Sequence, residues 1–415
     1  MNWPLISLNQ ICDTQYGYTA SADDFEVGPK YLRITDIASG PIDWESVPYC
    51  KISESDYPKY KLNAGDIVIA RTGNTTGYAK LIRNNNDAVF ASYLVRIKIK
   101  SDLADSGYIG RLIESDIYKN FVRSIKGGAA QGNANATTLT LFKFWLPPIE
   151  VQRIIASILS AYDDLIYTNR RRIQLLEEAA RLLFREWFIY FRFPGHEKVK
   201  IVDGVPEGWE KVPFPELIDF KEGPGLRNYQ FREEGIPFLN IRTFGDDEID
   251  LSKVGYLDEN EVYSKYKHFL LKEDDHVISS SGTLGRLVTV RTSHLPLMLN
   301  TSLIRMRPKK PMRKWMLKTY LLYGGFIEKT SSLAIGAAQL NFGPAHLNKM
   351  TILFPKNSET VNEFEKLISE IYLAKKNLLD QNQKLAQARD LLLPRLMSGE
   401  IDLLRYDKLS NEVEV

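Results

Sequence analysis

Two glycine-flanked polar stretches carry the side-chain amides best placed for recognition chemistry. Gly127-Gly128-Ala129-Ala130-Gln131-Gly132-Asn133-Ala134-Asn135 offers Gln131, Asn133 and Asn135, and Gly336-Ala337-Ala338-Gln339-Leu340-Asn341 offers Gln339 and Asn341. A carboxamide sets an acceptor beside donors, the pattern that pairs bidentately with adenine N6/N7, while an arginine fork matches guanine O6/N7. Arg71 heads a second kind of loop, Arg71-Thr72-Gly73-Asn74-Thr75-Thr76-Gly77, in which Thr72, Asn74 and Thr75 add short polar groups. A later loop, Ser279-Ser280-Ser281-Gly282-Thr283-Leu284-Gly285, presents Ser280, Ser281 and Thr283 in the same setting. The plainer reading of all four is a surface turn, with Gly and Asn chosen for positive φ. Ala-Ala-Gln-x-Asn recurs in both amide stretches, as a shared fold element would. The other two loops differ from each other, as readers of different sequences would.

Arg305, Arg307, Lys309, Lys310, Arg313, Lys314 and Lys318 form a run with no acid between its ends. Such a run suits phosphate contact, which gives affinity and salt dependence rather than base choice; a solvated basic face is the alternative. Arg170-Arg171-Arg172 is a second basic cluster that could face phosphates or an acidic partner. Catalytic chemistry finds little support. There is no Gly-Lys-Ser/Thr phosphate loop and no Asn/Asp-Pro-Pro-aromatic motif, and Gly223-Pro224-Gly225 lacks a third glycine at dinucleotide spacing. His196, His268, His276, His294 and His346 show no metal-ligand spacing and read as surface or packing residues. Asp246-Asp247 and Asp274-Asp275 lie in turn-like contexts that solvate carboxylates. The expectation is a non-enzymatic chain without a metal or cofactor of its own.

Elements must hold these loops in place. Tyr31–Ile34, Asp66–Ile69 and Leu94–Ile97 read as strands, Gly107–Ile125 as helical, and Phe142–Leu146 as a closing strand before Pro147-Pro148. The same series returns later: Phe238–Ile241, Asp275–Ile278, Leu303–Arg305, then Pro355, at a nearly constant offset. After each series comes a heptad-patterned stretch. Ile155, Leu159, Tyr162, Ile166, Ile173, Leu176, Ala180, Leu183 and Trp187, with Asn169 in the gap, step by three and four. Phe364, Leu367, Ile371, Ala374, Leu378, Gln381, Leu385, Ala388 and Leu392 do so again. Roughly 40 residues of helix make a rod of about 60 Å. One rod cannot bury its seam alone, so the two are expected to pair antiparallel, with Asn169 opposite Gln381, Ile155 near Arg395 and Trp187 near Glu363. Ile154, Ile158 and Leu165 widen the first stripe beyond what two helices need, which favours a docked partner. Trp187 and Phe188 could serve coil packing or that partner.

The fold class is therefore α+β: two tandem α/β domains, residues 1–148 and 193–355, an internal duplication with pseudo-two-fold symmetry. They are separated by long helices at 149–192 and 356–403 that pack as an antiparallel coiled coil, with a tail at 404–415. The 415 residues suit two or three domains. Hydrophobic residues at 44% and charged ones at 26% argue against disorder. A net charge of +2 means that any nucleic-acid reading must rest on local patches. Cys12 and Cys50 give no disulfide framework and point to a reducing compartment. With neither a signal-peptide pattern nor an apolar run of membrane length, the expected location is the cytoplasm.

Leu146-Pro147-Pro148-Ile149-Glu150-Val151-Gln152-Arg153-Ile154-Ile155, then Leu159, Asp163-Asp164, Leu182-Leu183-Phe184 and Trp187-Phe188, resembles the central conserved region of type I restriction–modification specificity subunits. Leu396-Met397-Ser398-Gly399-Glu400-Ile401 is similar to the end of their distal conserved region. Trp3-Pro4-Leu5-Ile6-Ser7-Leu8 and Gly208-Trp209-Glu210-Lys211-Val212 resemble the openings of their two target-recognition domains. The resemblance covers essentially the whole chain in order. It implies a non-catalytic DNA reader whose two domains each read half of a split, asymmetric site. The coil would set the spacing and dock modification subunits, through a surface that includes Gln152. Those subunits use S-adenosylmethionine to methylate adenine N6, and restriction subunits consuming ATP with magnesium join the larger assembly. A rod of about 60 Å at 3.4 Å per base pair caps the separation of half-site centres near 17 or 18 pairs. The alternative is a coil-based scaffold whose globular ends bind proteins or ligands.

Overall fold

The computed structural model describes residues 3–38, 40–126, 134–245, 248–333, 341–401 and 403. The chain is a mixture of helices and strands that divides into two compact units. Unit one comprises residues 1–168 with 381–415, and unit two residues 169–380.

Unit one is built on a four-stranded antiparallel sheet in the order Cys12–Tyr16, Leu94–Ile99, Ile67–Ala70, Ala79–Leu81. Ile67-Val68-Ile69-Ala70 is buried at every position because both faces of the sheet are covered. Ile67, Ile69, Val95 and Ile97 join Tyr108, Ile109 and Tyr118 of helices Ser106–Glu114 and Asp116–Lys126. Val68, Ala70 and Leu94 join Leu32, Ile37, Leu62 and Phe90 on the other face. This is the period-two alternation of a pleated strand, each buried aliphatic contributing about 1.5–3 kcal/mol. Lys30–Leu32 pairs in parallel with Ala88–Phe90. Leu5–Ser7 pairs with Lys143–Trp145 and delivers the chain to the first long helix, Ile149–Phe188.

Unit two holds a sheet with the same strand order in sequence: Ile218–Glu222, Leu303–Pro308, His276–Ser279, Leu287–Thr289. Val277, Val288 and Leu303 pack to one side, and Ile278, Leu287, Ile304 and Met306 to the other. Helices Lys314–Tyr323 and Phe326–Leu333 follow. Trp209–Pro213 pairs with Thr351–Pro355, which leads into the second long helix, Ser358–Met397. An added three-stranded sheet, Phe231–Arg232, Gly255–Leu257 and Ile236–Phe238, has no counterpart among the described strands of unit one.

Each long helix has 40 residues. Along the first, Ile155, Leu159, Ile166, Asn169, Ile173, Ala180 and Trp187 are buried, the expected stripe. The second departs from expectation. Leu367 is 42% exposed and Ala374 and Gln381 are exposed, whereas Val361, Phe364, Ile368, Tyr372 and Lys375 are buried. The stripe is turned by about one residue because the adjoining globular part also demands apolar contacts. Tyr372 stacks on Trp315, ring centroids 5.1 Å apart, and its phenol is within 3.2 Å of Thr319 Oγ1. Within unit two the helical segments run in opposite directions: Trp187 meets Phe364 at 5.5 Å, and Lys375 donates to Glu177 at 2.6 Å. Within unit one Arg389 pairs with Asp163, while Ile155 and Leu159 share a core with Leu392 and Leu396. Among the described residues no helix is long and apolar enough to cross a membrane.

Candidate nucleic-acid interface

In unit one the loop Arg71–Gly77 joins strands Ile67–Ala70 and Ala79–Leu81 through a short turn at Gly73–Thr75. Gly77 has φ +88, and a Cβ there would stand 2.8 Å from Val122, so the loop can close only on glycine. Arg71 is held at both ends. Its peptide N–H donates to Tyr93 O and its carbonyl accepts from Ala134 N–H at 2.9 Å. Its Nε donates to Ser92 O at 3.2 Å, with the guanidinium 4.9 Å from the Tyr16 ring centroid. Tyr16 Oη in turn accepts from Ala136 N–H at 3.0 Å. The fold thus brings the Arg71 loop, the end of strand Cys12–Tyr16 and the segment after the amide stretch together. Thr72 and Thr75 are half-buried and Asn74 is exposed.

Unit two repeats the placement. Phe342 N–H donates to Ser280 O at 3.0 Å, tying the Ser280–Gly285 loop to the residue after Asn341. Ser279 Oγ donates to Thr283 O at 2.5 Å and accepts from Arg286 N–H at 2.9 Å, fastening the loop from beneath. Asn341 and Thr283 are exposed and Ser281 is half-buried.

Several expected readers are occupied elsewhere. Ser280 is 2% exposed, so its hydroxyl faces the protein rather than a base. Asn135 is exposed, but its Oδ1 caps helix Ala136–Leu139, accepting from Thr138 N–H at 2.7 Å. That spends the oxygen a bidentate adenine contact requires. Gln131, Asn133 and Gln339 lie outside the described residues, as do Asp246 and Asp247.

Much of the basic run is engaged within the protein, and three of its members are ion-paired. Arg305 lies in the sheet, its side chain 7% exposed, and donates to Asp219 at 2.5 Å. Arg307 chelates Asp275, with the Nη2 contact at 2.7 Å, and Lys309 Nζ donates to Pro215 O at 2.8 Å. Arg313 donates to Asn362 at 2.8 Å and Lys314 to Asp274 at 2.7 Å. Lys318 is buried, its Nζ 4.9 Å from the Tyr372 ring. Lys309 and Lys310 are the exposed members of the run.

The expected docking residues divide in the same way. Gln152 is 1% exposed; its Oε1 accepts from Asp105 N–H at 2.9 Å and its Nε2 donates to Pro147 O at 2.8 Å. It therefore fastens the start of the long helix to the globular part and offers nothing to a partner. Trp187 and Phe188 are buried against Phe364, with Phe188 also 5.5 Å from Trp209. Ile154 and Ile158 are half-buried against unit one's core, and Leu165 is 53% exposed. Tyr167, Leu175 and Leu182 are also exposed on the first long helix.

Exposed aromatics complete the candidate surface. Tyr16 and Tyr93 flank Arg71 and are 43% and 57% exposed, while Phe25 and Tyr229 are each 80% exposed. Sequence reading passed over them because an aromatic in or beside a strand is usually core; the glycine following Tyr16 was the available clue. His276 is structural, spanning Thr289 Oγ1 and Lys314 O, each at 3.1 Å. Burial pushes the thiols of Cys12 and Cys50 up to about 11, which leaves them unreactive near neutrality.

Residues 1–178 match the family model described as the type I restriction modification DNA specificity domain. The type I restriction enzyme MjaVIII specificity subunit of Methanocaldococcus jannaschii is 24% identical over 351 residues, 82% of this chain and 80% of that protein. The HindI specificity subunit of Haemophilus influenzae is 23% identical over 448 aligned residues, covering 89% and 95%. Among solved structures, the type I restriction–modification S subunit of M. genitalium aligns with a TM-score of 0.58 at 15% identity, covering 96% of each chain, a likeness of fold. Family model and curated relatives agree on what this chain is similar to, the type I restriction–modification DNA specificity subunits, and the solved S subunit shares its fold.

Proposed function

We propose that the chain is the non-catalytic reader of a bipartite DNA site, each unit recognising one half. The observation that carries this reading is the repeated sheet order. In both units a four-stranded sheet places a loop between the same two strands and ties it to the residue that follows the Asn of Ala-Ala-Gln-x-Asn, Ala134 in one and Phe342 in the other. An internal duplication accounts for that recurrence. The duplicated loops have diverged, Arg-Thr-Gly-Asn in one and Ser-Ser-Gly-Thr in the other, so the half-sites should differ and the site should not be a palindrome. Arg71, stacked on Tyr16 and fixed at its Nε, is pre-organised to present its outer nitrogens to a guanine edge. Asn74, Thr75, Ser281, Thr283 and Asn341 supply further polar contacts at the same loops.

The long helices pair as an antiparallel coiled coil and set the distance between half-sites. Exposed apolar residues of the first long helix, Leu165 and Tyr167 in unit one and Leu175 and Leu182 in unit two, are the contacts each unit offers to modification subunits. Methyl transfer from S-adenosylmethionine and the ATP- and magnesium-dependent steps belong to those subunits and to restriction subunits. Duplex binding measured between 50 and 200 mM salt, with the modification subunit present, tests the reader role. Affinity should fall steeply, by about tenfold or more for several phosphate contacts. Binding indifferent to salt and to duplex DNA would turn the chain into a protein scaffold.

A further inference from the structure

Asp163, on the first long helix, gathers three arginines from three elements of unit one. Arg83 Nη2 reaches it at 2.7 Å, Arg389 Nη1 at 2.5 Å, and Arg111 Nη1 also donates to it. Arg83 stands two residues beyond edge strand Ala79–Leu81, Arg111 is on helix Ser106–Glu114, and Arg389 is on the second long helix. The Asp163 side chain is 11% exposed and that of Arg111 7%, so solvent screens that pair weakly, while Arg83 and Arg389 are 38% and 30% exposed. Arg83 also extends Nη1 to Asp164 at 3.0 Å. Unit two has a clamp at the same place in its sheet. Arg291, two residues beyond edge strand Leu287–Thr289, joins Glu248 at 2.5 Å and Asp380 of the second long helix at 2.9 Å.

We infer that Asp163 is a positioning residue for DNA recognition: it locks the edge of the globular part to both helical segments and so fixes the angle at which that part meets its half-site. The inference rests on the bipartite reading above. Moving a half-site by one base pair shifts it about 3.4 Å along the duplex and turns it by roughly 35°, a tenth of a helical turn. A mounting that can rotate tolerates this change; one pinned through a nearly buried carboxylate does not. Without the carboxylate, Arg111 loses its ion pair, and Arg83 and Arg389 keep Asp164 and Asp390, so the three arginines no longer converge on one anchor.

The test uses the chain with its modification subunit and substrates carrying both half-sites at the native spacer and at spacers one and two pairs longer or shorter. The wild-type complex should methylate only the native spacer. In Asp163→Asn, and in the more exposed Arg83→Gln, preference for the native spacer over its neighbours should fall about tenfold, with base preference within each half-site unchanged. Asp163→Glu, which keeps the charge, should restore most of that preference. If Asp163→Asn fails to accumulate, Arg83→Gln decides. Wild-type discrimination retained in the variants, even at lower rates, would overturn the positioning role alone. A wild-type complex that methylates no split site would overturn the bipartite reading and this inference with it.

Discussion

Arg71 is the residue whose chemistry is most exposed to test. Its Nε is spent on Ser92 O and its guanidinium carbon sits over the Tyr16 ring, leaving the terminal nitrogens for a base edge. Arg71→Ala should weaken discrimination at one half-site only, by about 1–3 kcal/mol at a single base pair. Methylation of substrates mutated position by position would show it, and an equal loss on every sequence would reassign Arg71 to phosphate contact. His294 tests a buried site instead. Burial, with Arg291 nearby, pulls its pKa down to about 4, and its Nδ1 accepts from Arg291 N–H at 3.1 Å. The unfolded chain therefore binds a proton near pH 6.5 that the folded chain refuses until about pH 4. Stability is retained above pH 6.5 and lost as pH falls from there towards 4, by about 2 kcal/mol after solvent screening. Urea midpoints at pH 7 and pH 5 should differ accordingly, and His294→Gln should remove that part of the difference.

At the scale of elements, the start of the first long helix depends on Gln152. Its carboxamide satisfies Asp105 N–H, at the cap of helix Ser106–Glu114, and Pro147 O. Gln152→Ala should therefore cost about 1–3 kcal/mol of stability while leaving affinity for the modification subunit unchanged in the folded protein. A stable variant that no longer binds that subunit would return Gln152 to the docking surface. The loops rest on their closing glycines in the same way. Gly285 has φ +78 and its missing Cβ would stand 2.6 Å from Ile327, so Gly285→Ala should destabilise unit two by about 1–3 kcal/mol. Thermal unfolding of that variant checks it. Strand and helix positions were legible in the sequence because β-branched runs such as Ile67-Val68-Ile69 and the three-and-four stepping of Ile155 to Trp187 follow from local geometry. The face of the second long helix was not. Ile368 and Tyr372 answer to Trp315 and its neighbours, a demand that heptad counting along one helix does not contain.

For the molecule as a whole, the repeated order of elements could be read directly, since matching loops, strands and helix starts recur in series. The candidate site was legible only as loops. Which side chains they free depends on partners distant in sequence, such as Asp275 for Arg307 and Tyr16 for Arg71. Within the run of cations, the fold sets carboxylates beside Arg305, Arg307 and Lys314. Methylation mapping across the genome, in cells carrying the modification subunit with and without this chain, addresses the central claim most directly. The account predicts a new methyl-adenine motif, split and non-palindromic, present only when this chain is expressed. No new motif, with the modification subunit shown to be active beside another specificity subunit, would contradict it.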